Sequence, residues 1–436
     1  MSRFQPKTFK LSRKKRLLIL FVVALAVVVL LAGTLFRDRA ESALRHITYS
    51  QKKDFPHNAQ ANSLFVAMGN ELLVCTNSQV QIFSPTGAVR VKEPVTMTSP
   101  ALNVAGDHAV VYDVGGKTLL IFQGSELLQK LDLPGDLAIL SATVNEKGWV
   151  AVTSKEGGYK GVVTVYDPSF EAVLAIRLSS RYVSDAVVTP DCRGVYIISP
   201  GQANGTFENT LLYYTLSSKD MPTRQVSLGS NVIRSIRCGK KCWIMGDRSL
   251  LILDSSCVVT ATYHYQGRYL KMGTLQGDDY ATLFLSVSDS GSGGTLVTVD
   301  DEGQVFAELP FTGQTLGMAA QNETIAVLTT GDIFTTTRTL ERYTSEPNQR
   351  GIRNVAVYDD GSVATITSAT VGMYFPSDIE HYDNPTIPTE EERKAAEEAE
   401  AQALAEGEAQ EAAGENSEWI PETETPSETP SGEAGQ

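Results

Sequence analysis

Five cysteines, five histidines and two nearby arginines have the most scope for chemistry in this 436-residue chain. Cys238 and Cys242 bracket Gly239-Lys240-Lys241, a turn-like triplet between two apolar runs. Residues flanking a three-residue hairpin loop face one another near disulfide distance. A Cys238–Cys242 bridge is therefore expected, with Cys257, itself in a turn, as the competing partner of either. Cys192 also falls in a turn, and Cys75 reads as a buried strand thiol. Metal binding at C-x3-C would need a nearby histidine or a second cysteine pair, and neither is present. His46, His57, His108, His264 and His381 are dispersed, without an H-E-x-x-H pair. There is no G-x-S-x-G elbow, no Ser/His/Asp set and no D-x-D-x-D-G calcium loop. Many aspartates fall in turn-like stretches, several beside glycine, where they accept local backbone hydrogen bonds. Arg234 and Arg237 share one apolar run; they could reach a central channel, but pairing between neighbouring sheets is the preferred reading. No catalytic, cofactor-binding or metal-ligating residue is expected.

The elements that would position these residues begin with a membrane span. Leu17 to Phe36 contains no charge and one polar side chain, Thr34. At ~1.5 Å per residue a helix of that length covers ~30 Å, the hydrocarbon thickness of a bilayer. Residues 1–16 carry seven Lys and Arg and no carboxylate, which predicts a basic cytoplasmic stub and an exported remainder. A cleavable secretory signal is built from the same parts, but its apolar core usually runs ~7–15 residues. No cysteine follows Leu31-Ala32-Gly33, so lipoprotein-type attachment is not expected.

From residue 37 to 376 the chain reads as short Val, Ile, Leu, Tyr and Thr runs punctuated by Gly, Asn and Asp, the pattern of an all-β sandwich, barrel or propeller. Periodicity decides between these. Turns recur at Gly69-Asn70, Gly106-Asp107, Glu146-Lys147-Gly148, Asp191-Cys192-Arg193, Gly239-Lys240-Lys241, Gly277-Asp278-Asp279, Asn322-Glu323 and Asp359-Asp360-Gly361. Each precedes an apolar strand such as ELLVC, WVAVT or TIAVL, and the interval is roughly 37 to 48 residues, as in propeller repeats. The expected fold is an eight-bladed β-propeller, with seven blades as the alternative because the last repeats match least well. The eighth unit has three strands of its own, and residues 47–50 are expected to supply the fourth and close the ring. Gly201 to Thr210, with Asn204-Gly205, and the Gly/Ser run at 289–294 read as exposed, flexible hairpin loops joining second and third strands.

Residues 377–436 form a separate tail. Thr389 and Glu392 make a capping box ahead of an Ala/Glu-rich run, helical in part, and a disordered Pro/Ser/Thr/Glu segment follows. From residue 389 onward fifteen Glu face only Arg393 and Lys394. The net charge of −14 thus reports an acidic tail and a basic stub more than the domain between them. No basic face emerges in the exported part, which argues against a nucleic-acid partner.

A basic stub, one span, an ITYS-type strand and a divergent eight-unit propeller resemble an uncharacterised family of single-pass, membrane-anchored β-propeller proteins of Firmicutes-type bacteria. That resemblance implies a quinoprotein-like or WD40-like propeller without an assigned activity. The regular tryptophans of those repeats are missing, since only Trp149 and Trp243 lie inside the propeller. No cofactor can be carried over. The expected function is a non-catalytic interaction module of the cell envelope, whose partner is an envelope protein or cell-wall polymer. The alternative is a ligand-binding sensor or enzyme with a site in the central channel.

Overall fold

The computed structural model describes residues 49–376, apart from residues 58, 60–62, 218–220, 278, 290–292, 342 and 349–350. The expected span at 17–36 and the tail at 377–436 lie outside the described residues. Among those described, no helix is long and apolar enough to cross a membrane. The chain divides into two units, Met1–His381 and Tyr382–Gln436, and only the first contains described residues.

Residues 49–376 form eight four-stranded antiparallel sheets. Blades 1 to 7 are simple meanders at 64–94, 100–132, 138–178, 185–227, 233–264, 269–311 and 315–347. Blade 8 takes three strands from 354–376 and its outer strand from Tyr49–Pro56. That strand pairs with Thr370–Pro376, running from Tyr49↔Pro376 to Pro56↔Thr370. The closing strand was expected at 47–50; of those positions Tyr49 and Ser50 are in it, and it continues six residues beyond them. The eight-blade count holds, and the seven-blade alternative does not.

Eight apolar clusters lie in the eight seams between neighbouring blades. In the seam between blades 5 and 6, for example, Trp243, Leu250 and Ile252 meet Leu270, Ala281, Leu283 and Val297. The closing seam joins Phe55, Val371 and Met373 of blade 8 to Leu72, Val74 and Phe83 of blade 1. This packing explains the hydrophobic pattern. A second strand such as Glu71–Cys75 is covered on both faces, so its last four residues are all buried. An outer strand such as Val89–Pro94 is open to solvent and alternates. Each buried Leu, Ile, Val or Phe contributes about 1.5–3 kcal/mol, and a blade removed from the ring would lose that on both faces.

Gly201 to Thr210, expected as a loop, is a ladder. Strands Gly194–Ala203 and Thr206–Thr215 of blade 4 pair continuously to Ala203↔Thr206. Asn204 and Gly205 turn the chain with φ of 52° and 78°, the left-handed pair that a tight Asn-Gly hairpin uses. Four pairs at its end extend beyond both flanking strands as a two-stranded spur.

Candidate functional site

Meander topology gives the ring two different rims. The turns from inner to second strand, and from third to outer strand, lie on one rim, called upper here. The lower rim carries the turns from second to third strand and the connections between blades. Tyr49 and Pro376 are paired at the upper rim, so both ends of the described ring leave from one side.

At the upper rim the turns are locked to one another. Gln321 and Asn322 of blade 7 donate to the Asp359 carboxylate and carbonyl of blade 8. The Asp359 amide in turn donates to the Gly69 carbonyl of blade 1, at 3.3 Å. Gly277 of blade 6 and Asn322 of blade 7 form an isolated parallel bridge. In blade 5 the structure joins Cys238 to Cys242, directly opposed across the first hairpin. Cys257, the competing partner, is instead a free, buried thiol in the turn to the outer strand. Burial pushes that thiol up to about 11. Cys75 and Cys192 are also free.

The two arginines are not brought together. Arg237, at the upper end of inner strand Ile233–Cys238, donates 3.2 Å to the Leu275 carbonyl and also to the Gln276 side chain of blade 6. Its other terminal nitrogen lies 3.6 Å from Glu146 in blade 3, two blades away. It is both an inter-blade tie and a link across the channel mouth. Arg234 sits at the other end, in a register shift between Ile233 and Ser235, and is exposed. Three positions apart, the two lie toward opposite ends of the strand, Arg234 in the irregularity and Arg237 at the upper rim.

The lower end of the seam between blades 3 and 4 holds a group that sequence reasoning missed. Asp185 begins the inner strand of blade 4 and accepts from the Ser141 hydroxyl of blade 3 and, at 2.9 Å, from the Ala186 amide. Burial raises its carboxyl above the ordinary carboxylate range, against the opposing effect of those hydrogen bonds. The Thr143 hydroxyl donates 2.6 Å to the Ala186 carbonyl across the same seam. Nothing in the local sequence marks Asp185 out, because its neighbours come from a strand more than forty residues earlier.

The lower rim also exposes apolar and aromatic side chains: Leu140, Tyr159, Tyr182, Phe207 and Val232 are 36%, 39%, 57%, 40% and 51% accessible. No group of three or more His, Cys, Asp or Glu suited to a metal occurs among the described residues. A small cleft of about 20 Å³ between blades 7 and 8 is lined by Ile333, Thr335, Thr344, Val363, Thr365, Tyr49 and Tyr374. It presents hydroxyls and methyls but no carboxylate, imidazole or thiol.

Solved propellers superpose on this ring. The C-terminal WD40 domain of Sif2 matches with a TM-score of 0.55 at 12% identity, over 76% of this chain and 99% of that domain. The quinohemoprotein alcohol dehydrogenase ADHIIG from Pseudomonas putida HK5 gives a TM-score of 0.47 at 10% identity, covering 78% of each chain. At such identities the first likeness supports the fold alone, and the second adds nothing to it. No curated protein matches the chain. A family model does match, over residues 45–371, and by that match the chain belongs to DUF5711, a family of unknown function.

Proposed function

We propose that the propeller is a non-catalytic interaction module of the cell envelope, held outside the membrane by a single span at residues 17–36. The observation that carries this reading is the placement of the ring's ends. Tyr49 and Pro376 leave from the upper rim, and only residues 37–48 separate Tyr49 from the expected span. A ring tethered there turns its upper rim, already committed to turn-to-turn bonds, toward the bilayer. Its lower rim, with the exposed Leu140, Tyr159, Tyr182, Phe207 and Val232, faces outward. Loops and surface side chains carried on a rigid scaffold suit recognition. The partner is an envelope protein or a cell-wall polymer. Protease treatment of intact cells tests the topology: the propeller should be cleaved or released while residues 1–16 stay protected. Protection of the propeller until lysis would refute the reading.

A second reading places a ligand in the central channel, favoured by one observation: a buried carboxyl, Asp185, hydrogen-bonded between the lower ends of two inner strands and raised by that burial. Perturbed carboxyls in concave sites mark binding or acid–base function more often than chance. Carboxyl titration by NMR, with and without small-molecule candidates, would show whether Asp185 responds to a ligand.

A further inference from the structure

The lower face of blade 3 gathers cations that are separate in sequence. Its hairpin from second to third strand contributes Lys155, Tyr159 and Lys160, and the end of its outer strand, with the connection to blade 4, contributes Arg177, Arg181 and Tyr182. Lys160 Nζ stands 5.1 Å from the Tyr182 ring centre, and the Arg177 guanidinium 6.0 Å from that of Tyr159. The only carboxylate in these two segments is Glu156, and Arg177 takes it at 2.7 Å. Lys155 and Lys160 have no ion-pair partner among the described residues, and Arg181 donates only to the neutral Gln225 side chain at 3.3 Å. Both tyrosines keep large exposed areas, 39% and 57%, with a cation against one side of each ring. The Ser199 hydroxyl of blade 4 donates 2.8 Å to the Tyr182 carbonyl, which fixes the platform to its neighbour.

We infer that this platform binds an anionic polysaccharide. The chemistry selects that class in three steps. The cations left without carboxylates, Lys155, Lys160 and Arg181, complement a negatively charged partner. Rigid tyrosine rings, amphipathic and cheap to order, offer flat faces on which the C–H faces of sugar rings stack. The spacing is sparse, with an exposed ring beside each cation, and so suits a chain carrying an occasional carboxylate or phosphate on successive sugars. A nucleic acid, with one charge every ~1.7 Å of duplex axis, carries far more charge than these few cations can match. The inference rests on the reading of this domain as an envelope module and names which of its two partner classes this surface takes.

Affinity electrophoresis of the full chain in detergent tests it, with polygalacturonate, neutral dextran, poly-glutamate and oligo-thymidylate as separate probes in the gel. Polygalacturonate should retard the protein and dextran should not. Tyr182→Ala and the pair Lys160→Gln/Arg181→Gln should each weaken retardation about tenfold, while Lys92→Gln on blade 1 leaves it unchanged. The inference is overturned by equal retardation in dextran, by indifference to Tyr182→Ala, or by stronger binding to poly-glutamate or oligo-thymidylate. Absence of retardation by any probe overturns it as well. None of these outcomes bears on topology, which protease treatment reads independently. Melting temperatures of the variants, expected to match the parent, show that lost binding is not lost folding.

Discussion

The two rims of this ring are built from the same strands and do opposite things. At the upper rim, polar groups are used on the protein itself: Asp359 on Gly69, Gln321 and Asn322, and Arg237 on blade 6 and Glu146. At the lower rim of blade 3, Arg177 pairs with Glu156, while Lys155, Lys160 and Arg181 have no carboxylate partner among the described residues. A polar group that ties one blade to another contributes to stability, and one left in solvent contributes little. The contrast therefore separates a rim that holds the ring shut from a face available for contact.

Substitutions can break that division or sharpen it. The largest effect is expected where closure and packing coincide. Phe55 is 4% exposed and stacks on Phe83 of blade 1 at 5.5 Å between ring centres. Phe55→Ala should cost about 3–5 kcal/mol in denaturant unfolding; a loss below 1 kcal/mol would mean that the seam does not hold the ring. Next comes the upper rim. Arg237→Ala removes the hydrogen bonds to Leu275 and Gln276 and should cost about 1.5–3 kcal/mol, whereas Glu146→Gln, at 3.6 Å and largely exposed, should cost under about 0.5 kcal/mol. Equal losses would make the contact across the channel, not the inter-blade tie, the important one.

Acidity should act through two groups of opposite sign. Burial lowers the His57 imidazole, whose neutral form donates to the Thr367 carbonyl and accepts from the Ala59 amide at 3.2 Å each. Its unfolded form therefore binds protons more readily, and stability is lost as pH falls below about 6.5. Asp185 is raised, so its contribution is present at acid pH and lost as pH rises through its folded value. Asp185→Asn, which keeps an acceptor for Ser141 and Ala186, should raise the melting temperature at pH 7 and leave it unchanged at pH 3. An unaltered melting temperature at pH 7 would show that the carboxyl is not strained. The smallest effect is expected at the lower face, where Lys160→Gln should change stability by less than about 0.5 kcal/mol.

Most of the ring was legible in the chain because its signals are local. A short polar or glycine turn every blade, followed by a doubly covered apolar strand, needs no knowledge of distant partners, and all eight expected turns precede second strands. What escaped was non-local or required one more local rule. The closing strand runs to Pro56 because Thr370–Pro376 is there to pair with it, more than three hundred residues away. The hairpin in blade 4 is legible at Asn204-Gly205, but its polar flank suggested a flexible loop where the strands continue as a ladder. Arg237 reaches its partners in blades 6 and 3 only through the closed ring, and no residue type near it announces them. The lower platform stayed hidden since Lys155–Lys160 and Arg177–Tyr182 become neighbours only when blade 3 folds.

The use of Tyr49–Pro56 as the outer strand of blade 8 has a consequence for biosynthesis. The segment that completes the circle is made first, and its partner strand is made last. Until residue 376 has emerged, the nascent chain is an open arc whose first and last sheets each present an uncovered apolar face and a free strand edge. A ribosome that stops one blade early would leave a sticky product rather than a smaller ring, and tethering the early strand beside the exit route would shorten its search for the latecomer.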